Sequence, residues 1–221
     1  MPDQRGPAYR IHTPRLVVRC WEPADAPLLK EAVDASLDHL RPWMPWAKDE
    51  PQSLEQKVEL LRGFRGRFDL GEEFVYAIFD RDESRVLGAT GLHRRSDEGS
   101  REIGYWLRPD ATGRGLMTEA AAALTRVAFD IDGVDRVEIH CDPRNTASAA
   151  VPRRLGYEHE ATLRRRLAYP EIRDTMIWTM FSDAYPRTMC AGARLAAFDV
   201  TGAVLLDSLS EARGRSRPPS E

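Results

Sequence analysis

Apolar residues recur along this chain with two periods, and the alternation between them lays out a series of strands and helices. Glu102-Ile-Gly-Tyr-Trp-Leu107 alternates, placing Ile103, Tyr105 and Leu107 on one face and Glu102 on the other, which predicts a strand. Leu116, Ala120, Ala123, Leu124 and Val127 share one face of a helix that should end near Phe129, before Asp132-Gly133. Phe74–Phe79 and Val86–His93 read as two strands joined through Asp80-Arg-Asp-Glu-Ser84. Arg136–Cys141 follows a helix, so it should run parallel to the 102–107 strand. Segments 157–163 and 175–181 should complete the sheet as an antiparallel pair.

Capping and breaking residues punctuate that pattern. The chain begins with a strand at 15–20, then Glu22-Pro23-Ala-Asp25 opens a helix expected to reach about Asp38. Leu40-Arg-Pro-Trp-Met-Pro-Trp46 is too rich in proline to remain helical. Ser53 is a good N-cap, and Gln56 completes a capping box for a helix to about Phe68. Asn145 opens a further helix that Gly156 stops. Pro152 lies inside it, removing one N–H and releasing the Ser148 carbonyl, so a kink is expected there. Residues 1–9 read as a loose lead-in, 10–185 as one domain, and 186–221 as an extension. Within the extension, 194–207 fits a hairpin around Thr201-Gly202, and 214–221 has the composition of a disordered tail.

The stretch from Arg108 to Ala120 is the most informative. A strand, a turn carrying Gly113 and Gly115, and a helix bring unpaired N–H groups together at a helix N-terminus, a site suited to phosphate. Leu116-Met117 stands where a P-loop needs Lys-Ser or Lys-Thr, and Thr118 where the dinucleotide fingerprint needs Gly or Ala. A tight turn without a ligand stays open on this evidence alone.

Composition bounds the remaining choices. The 221 residues, 42% hydrophobic and 30% charged, suit one ordinary globular core. A net charge of -3 argues against a dedicated nucleic-acid binder, although Arg153-Arg154 and Arg164-Arg165-Arg166 are basic clusters. Cys20, Cys141 and Cys190 fit neither a disulfide framework nor a metal site, and a reducing cytoplasm is expected. No apolar run approaches the length of a membrane span, so no membrane association is expected.

The 102–107 strand, Gly113-Arg-Gly-Leu-Met-Thr-Glu-Ala120, and the stretch from Asn145-Thr-Ala-Ser148 to Leu155-Gly-Tyr157 together resemble the GCN5-related N-acetyltransferases (GNAT). Within that superfamily they are similar to the RimJ/RimL branch, which acetylates ribosomal-protein N-termini. The resemblance spans roughly residues 10 to 183. It implies an α/β (α+β) GNAT fold: a mixed central sheet with helices on both faces and a splayed parallel pair that admits the pantetheine of acetyl-CoA. Acetyl-CoA contacts are then expected from Trp106, Leu107, Arg108, Gly113, Arg114, Gly115, Leu116, Met117, Thr118, Asn145, Ser148 and Arg154. Asn145 also suits a plain N-cap, and Arg153 and Arg154 a solvated helix face.

By the same resemblance Glu102 is the candidate base, acting directly or through water. The alternative is a rim carboxylate paired with Arg101 or Arg95. Ser148 is the candidate thiolate partner, or else an ordinary helix serine. Tyr157 reads as core. Trp43, Met44 and Trp46 would shape the acceptor groove, or would anchor their loop by packing. His93 and His140 end strands and could face the cleft, but neither has metal-ligand spacing, and no metal is expected. Three functions follow: acetyl transfer to a protein α-amino group, the same transfer to a small amine, or a non-catalytic acetyl-CoA-binding module. The 194–207 segment has no evident partner in the family core and is expected to lie against a second copy, giving a homodimer.

Overall fold

The structure, a computed structural model, describes residues 7–94, 99–167 and 171–210. Arg95, the turn residues 97–98 and the 214–221 tail lie outside the described residues. Strands β1 (Arg10–His12) and β2 (Val17–Cys20) lead into helices α1 (Ala26–Asp34), α2 (Leu37–Leu40) and α3 (Leu54–Asp69). Strands β3 (Phe74–Phe79), β4 (Val86–His93) and β5 (Ser100–Leu107) form a meander that feeds α4 (Leu116–Asp130). Then come β6 (Arg136–Cys141), α5 (Thr146–Leu155), β7 (Glu158–Leu167) and β8 (Arg173–Phe181), and finally β9 (Ala196–Phe198) and β10 (Val204–Asp207).

Among the described residues these strands make one sheet in the order β10-β9-β1-β2-β3-β4-β5-β6-β8-β7. The β5–β6 pair is parallel and the others are antiparallel. Two apolar layers cover the sheet. Ile103, Leu107 and Val137 pack with Leu116, Leu124 and Val127 of α4 on one side. Trp21, Leu29, Leu61, Phe79 and Ala89 pack with α1 and α3 on the other. Each apolar side chain withdrawn from water in these layers contributes about 1.5–3 kcal/mol.

Local sequence accounts for most element ends. The Gln56 N–H donates to Ser53 Oγ (3.2 Å) and the Ser53 N–H to Gln56 Oε1 (2.8 Å), closing the capping box of α3. Asn145 Oδ1 accepts from the Ser148 N–H (3.0 Å) and caps α5, while Gly156 at φ 86° ends it. Two expectations need correction. The helix expected over 22–38 is a 3-10 turn (Pro23–Asp25) followed by α1, and it breaks before α2. At the break the buried Ser36 hydroxyl donates to the Ala32 carbonyl (2.6 Å), a local bond that competes with the helical ladder.

The second correction concerns the extension. Its 196–198 strand does not need a second copy: β9 pairs with β1 in register Arg10↔Phe198, Ile11↔Ala197, His12↔Ala196. The Tyr9 N–H continues the ladder to the Phe198 carbonyl (2.8 Å), and Ala8 is fully buried, so the end of the lead-in is part of the core. The homodimer therefore loses the observation that motivated it.

Candidate active site

The parallel pair opens after three residues. β5 and β6 are paired at Ser100↔Arg136, Arg101↔Val137 and Glu102↔Glu138, and no further. Beyond that point β5 stays bonded to β4, and β6 to β8. The facing main-chain groups of 103–107 and 139–141 are thereby left for another partner, which the amide arm of pantetheine can supply.

At the far end of β5 the turn is built by two left-handed glycines, Gly113 (φ 71°) and Gly115 (φ 73°). Gly115 is the N-cap of α4, whose ladder begins with Glu119 N–H to Gly115 carbonyl (3.1 Å), leaving the N–H groups of Leu116, Met117 and Thr118 ahead of it. Leu116 and Met117 bury their side chains, so what they can offer a phosphate is main chain. Arg15 braces the turn: its guanidinium donates to the Arg114 carbonyl (2.9 Å) and to Glu119 (2.6 Å). Sequence reading missed Arg15, because ninety-nine positions separate it from Arg114.

Arg108, expected at the cofactor, is instead buried with its guanidinium on Glu31 of α1 (2.6 and 3.0 Å) and on Asp110 (3.0 Å). Its guanidinium fixes the turn to α1. Arg153 lies over the Trp178 ring (5.6 Å to the centroid), whereas Arg114 and Arg154 are exposed. Trp106 turns its indole to the α1–α3 side, 6.0 Å from the ring of Trp46, so only its backbone borders the opened strands.

A cavity of about 940 Å³ lies at the opening, and it brings together most of the remaining candidates: Glu102, Trp106, Asn145, Ser148 and the loop residues Trp43, Met44 and Trp46. Two buried contacts hold that loop. Lys57 of α3 pairs with Glu50, both almost wholly buried, and Arg173 donates to the Pro42 carbonyl (2.8 Å) while pairing with Asp142 (3.0 Å). Breaking a buried pair by removing one partner typically costs about 3–5 kcal/mol, so the tryptophans sit on a fixed wall.

Glu102 lines this cavity, its side chain 14% exposed. Arg101, the next residue, faces Asp132 (3.7 Å). Across the opening from β6, His140 Nδ1 stands 3.5 Å from Glu102 Oε2 while its Nε2 bonds Glu138 (2.7 Å). Ser148 lies on the other side of the opening. Its hydroxyl donates to Tyr105 Oη (3.3 Å), and the Tyr105 hydroxyl donates to the Ser148 carbonyl (3.0 Å). That carbonyl is the one Pro152 releases from the helix. Burial pushes the Tyr105 phenol and the neighbouring Cys141 thiol up. Sequence reading placed Tyr105 on one face with Ile103 and Leu107, and there α5 carries a polar group to meet it. Tyr157 is core as expected, its hydroxyl 2.6 Å from that of Thr125. Among the described residues no cluster of three His, Cys, Asp or Glu could hold a metal.

A splayed parallel pair, an N–H-rich turn at the head of α4 and a cavity between them fit acetyl-CoA from thioester to pyrophosphate. The acetyltransferase (GNAT) domain model matches residues 15–158. The chain belongs to the GNAT acetyltransferase family. It is 29% identical over 160 residues to the [ribosomal protein uS5]-alanine N-acetyltransferase of Escherichia coli, covering 70% of this chain and 80% of that one. It is 27% identical over 151 residues to a putative ribosomal N-acetyltransferase of Bacillus subtilis, covering 67% and 81%. In fold it is similar to Mycobacterium smegmatis RimJ in complex with CoA-disulfide (TM-score 0.72, 23% identity, 84% of this chain and 94% of that one). The same holds for the ribosomal L7/L12 acetyltransferase RimL with coenzyme A (TM-score 0.71, 22%, 78% and 97%). The protein is an N-acetyltransferase that uses acetyl-CoA as its cosubstrate. No described helix is long and apolar enough to cross a membrane.

Proposed function

We propose that the acceptor is the α-amino group of a protein N-terminus, with Glu102 and Ser148 acting on its two sides. The observation that carries this reading is the position of Glu102 at the last paired rung of β5 and β6, facing a cavity large enough for the first residues of a peptide. The relatives' names, a [ribosomal protein uS5]-alanine N-acetyltransferase and a putative ribosomal N-acetyltransferase, point the same way.

Acetyl-CoA supplies the activated acetyl group. The N–H groups of the Gly113–Thr118 segment hold its pyrophosphate, and the open edges of β5 and β6 hold its amide arm. The amine attacks the thioester carbon as Glu102 accepts a proton from it, the C–S bond breaks, and the thiolate leaves toward Ser148 and Tyr105. A thiol with a pKa of about 8.5 leaves readily, so the hydroxyl pair refines this step rather than enabling it. Trp43, Met44 and Trp46 form the wall against which the acceptor packs, and their apolar surface favours a peptide over a small, strongly hydrated amine. A reaction reading free thiol decides the class. N-terminal peptides should be turned over with higher kcat/KM than polyamines or amino sugars; the reverse ranking would assign the small-amine function.

A further inference from the structure

Among the residues lining the cavity, His93 and Glu73 have no part in the mechanism above. His93 ends β4 and is the register partner of Glu102 on β5, so the two side chains leave the same face of the sheet on adjacent strands. Its Nδ1 lies 3.0 Å from Glu73 Oε1. Glu73 also accepts from Arg67 Nε of α3 (3.0 Å); these two hydrogen bonds outweigh burial and hold its carboxyl below the usual range. An ionised Glu73 accepts the Nδ1–H, which fixes the tautomer and leaves the lone pair on Nε2.

That nitrogen lies over two glycines. A Cβ at Gly91 would stand 2.7 Å from His93 Nε2, and one at Gly104 3.2 Å from it. Gly91 and Gly104 face each other across β4 and β5, so together they clear a floor for the imidazole. Gly104 is two residues past Glu102, on the same face and beyond the last β5–β6 rung. Nε2 therefore stands beside the opening, and among the described residues it has no hydrogen-bond partner. His140 is arranged differently, with Nε2 on Glu138 and Nδ1 toward Glu102.

We propose that His93, oriented by Glu73, is the base that removes the first proton from the acceptor ammonium, and that Glu102 takes the second. This rests on the amine-acetylation reading, whose stoichiometry requires two N–H protons to leave. The ammonium gives one to His93 Nε2 and becomes a neutral amine. Its lone pair then forms the C–N bond to the thioester carbon. The nitrogen, now positive, gives its second proton to Glu102 as the C–S bond breaks; the leaving thiolate takes up one proton from solvent, and Glu102 releases its own to solvent, so one proton is released overall. His93 returns its proton to solvent. The division follows the chemistry of the two groups. As a class, imidazoles sit within about one to two pK units of an α-amino group, whereas carboxylates lie more than three below it and serve the far more acidic protonated intermediate. Among the described residues, the charged and titratable groups facing His93 are Glu73 and Arg67 on the α3 side, Glu102 on β5, and Glu138, His140 and Arg136 on β6.

The test uses the full chain and whichever amine the wild type acetylates fastest, so a wrong acceptor class does not disguise the result. His93→Gln should lower kcat by about 10²-fold or more, leave acetyl-CoA affinity by calorimetry unchanged, and remove the acidic limb of the kcat/KM profile. His93→Ala should recover part of its rate with added imidazole, whereas Glu102→Gln should not. A folded His93→Gln with wild-type kcat overturns the proposal, as does a loss that neither changes the pH profile nor responds to imidazole. Should the His93 variants fail to bind acetyl-CoA, Glu73→Gln decides. A shifted acidic limb at unchanged acetyl-CoA affinity supports the dyad, and an unmoved limb overturns it.

Discussion

The Tyr105 hydroxyl donates to the carbonyl of Ser148 (3.0 Å) and accepts from the Ser148 hydroxyl (3.3 Å). The carbonyl is available because Pro152, four residues on, has no N–H to offer it. A proline in one helix thus joins that helix to the strand that opens beside it. Tyr105→Phe should leave the carbonyl without its donor and cost about 1–3 kcal/mol of stability, read by chemical denaturation. The same variant should lower kcat more than Ser148→Ala does. Equal stability to wild type would mean that water replaces the phenol without loss.

Glu102→Gln keeps shape and some hydrogen bonding but cannot take a proton. Its kcat should fall by about 10²–10⁴-fold with acetyl-CoA affinity nearly intact, and the defect should shrink as pH rises and more acceptor is already neutral. Stopped assays across pH 6–9 check this. A stable variant with wild-type kcat throughout would remove Glu102 from the reaction.

Gly115 combines φ 73° with a place at the head of α4. Gly115→Val should strain the backbone by about 1–2 kcal/mol and set side-chain bulk between the turn and Arg15, whose Nη2 lies 3.6 Å from a Cβ there. Acetyl-CoA affinity should therefore fall by more than the lost stability predicts. Calorimetry on the folded variant reads it, and unchanged affinity would place the pyrophosphate elsewhere.

Asp132 is buried beside Arg101, and burial pushes its carboxyl up to about 6. The folded state therefore holds a proton there that the unfolded chain has already lost, so this group's contribution to stability falls as pH rises from about 4 to about 6. Asp132→Asn cannot ionise. Its stability relative to wild type should rise across that window by about 3 kcal/mol and level off above it. Urea denaturation at several pH values tests the sign. A difference that stays flat, or falls, would show that pairing with Arg101 outweighs burial.

Sequence pattern by itself determined the elements wherever one residue type answers one local demand. Alternation set β6 and near-continuous apolar runs set β3 and β4; Ser53 with Gln56 set the start of α3; Asn145 and Gly156 bounded α5; Gly113 and Gly115 marked the turn into α4. These are short-range effects, decided by backbone conformation and by which face must be buried. Pairings between distant segments were decided only by the tertiary structure. Three-residue strands carry too little pattern to be seen, so β1 and its union with β9 could not be read, and the extension was assigned to a second copy. Glu102 faces His140 because parallel β6 sets Glu138 opposite it and brings His140 round on the same face. His93 looked like an isolated histidine because Glu73 lies twenty positions before it and Gly104 eleven after. The signal was present as two glycines in adjacent strands, but it acquires meaning only once register lays both beneath one imidazole.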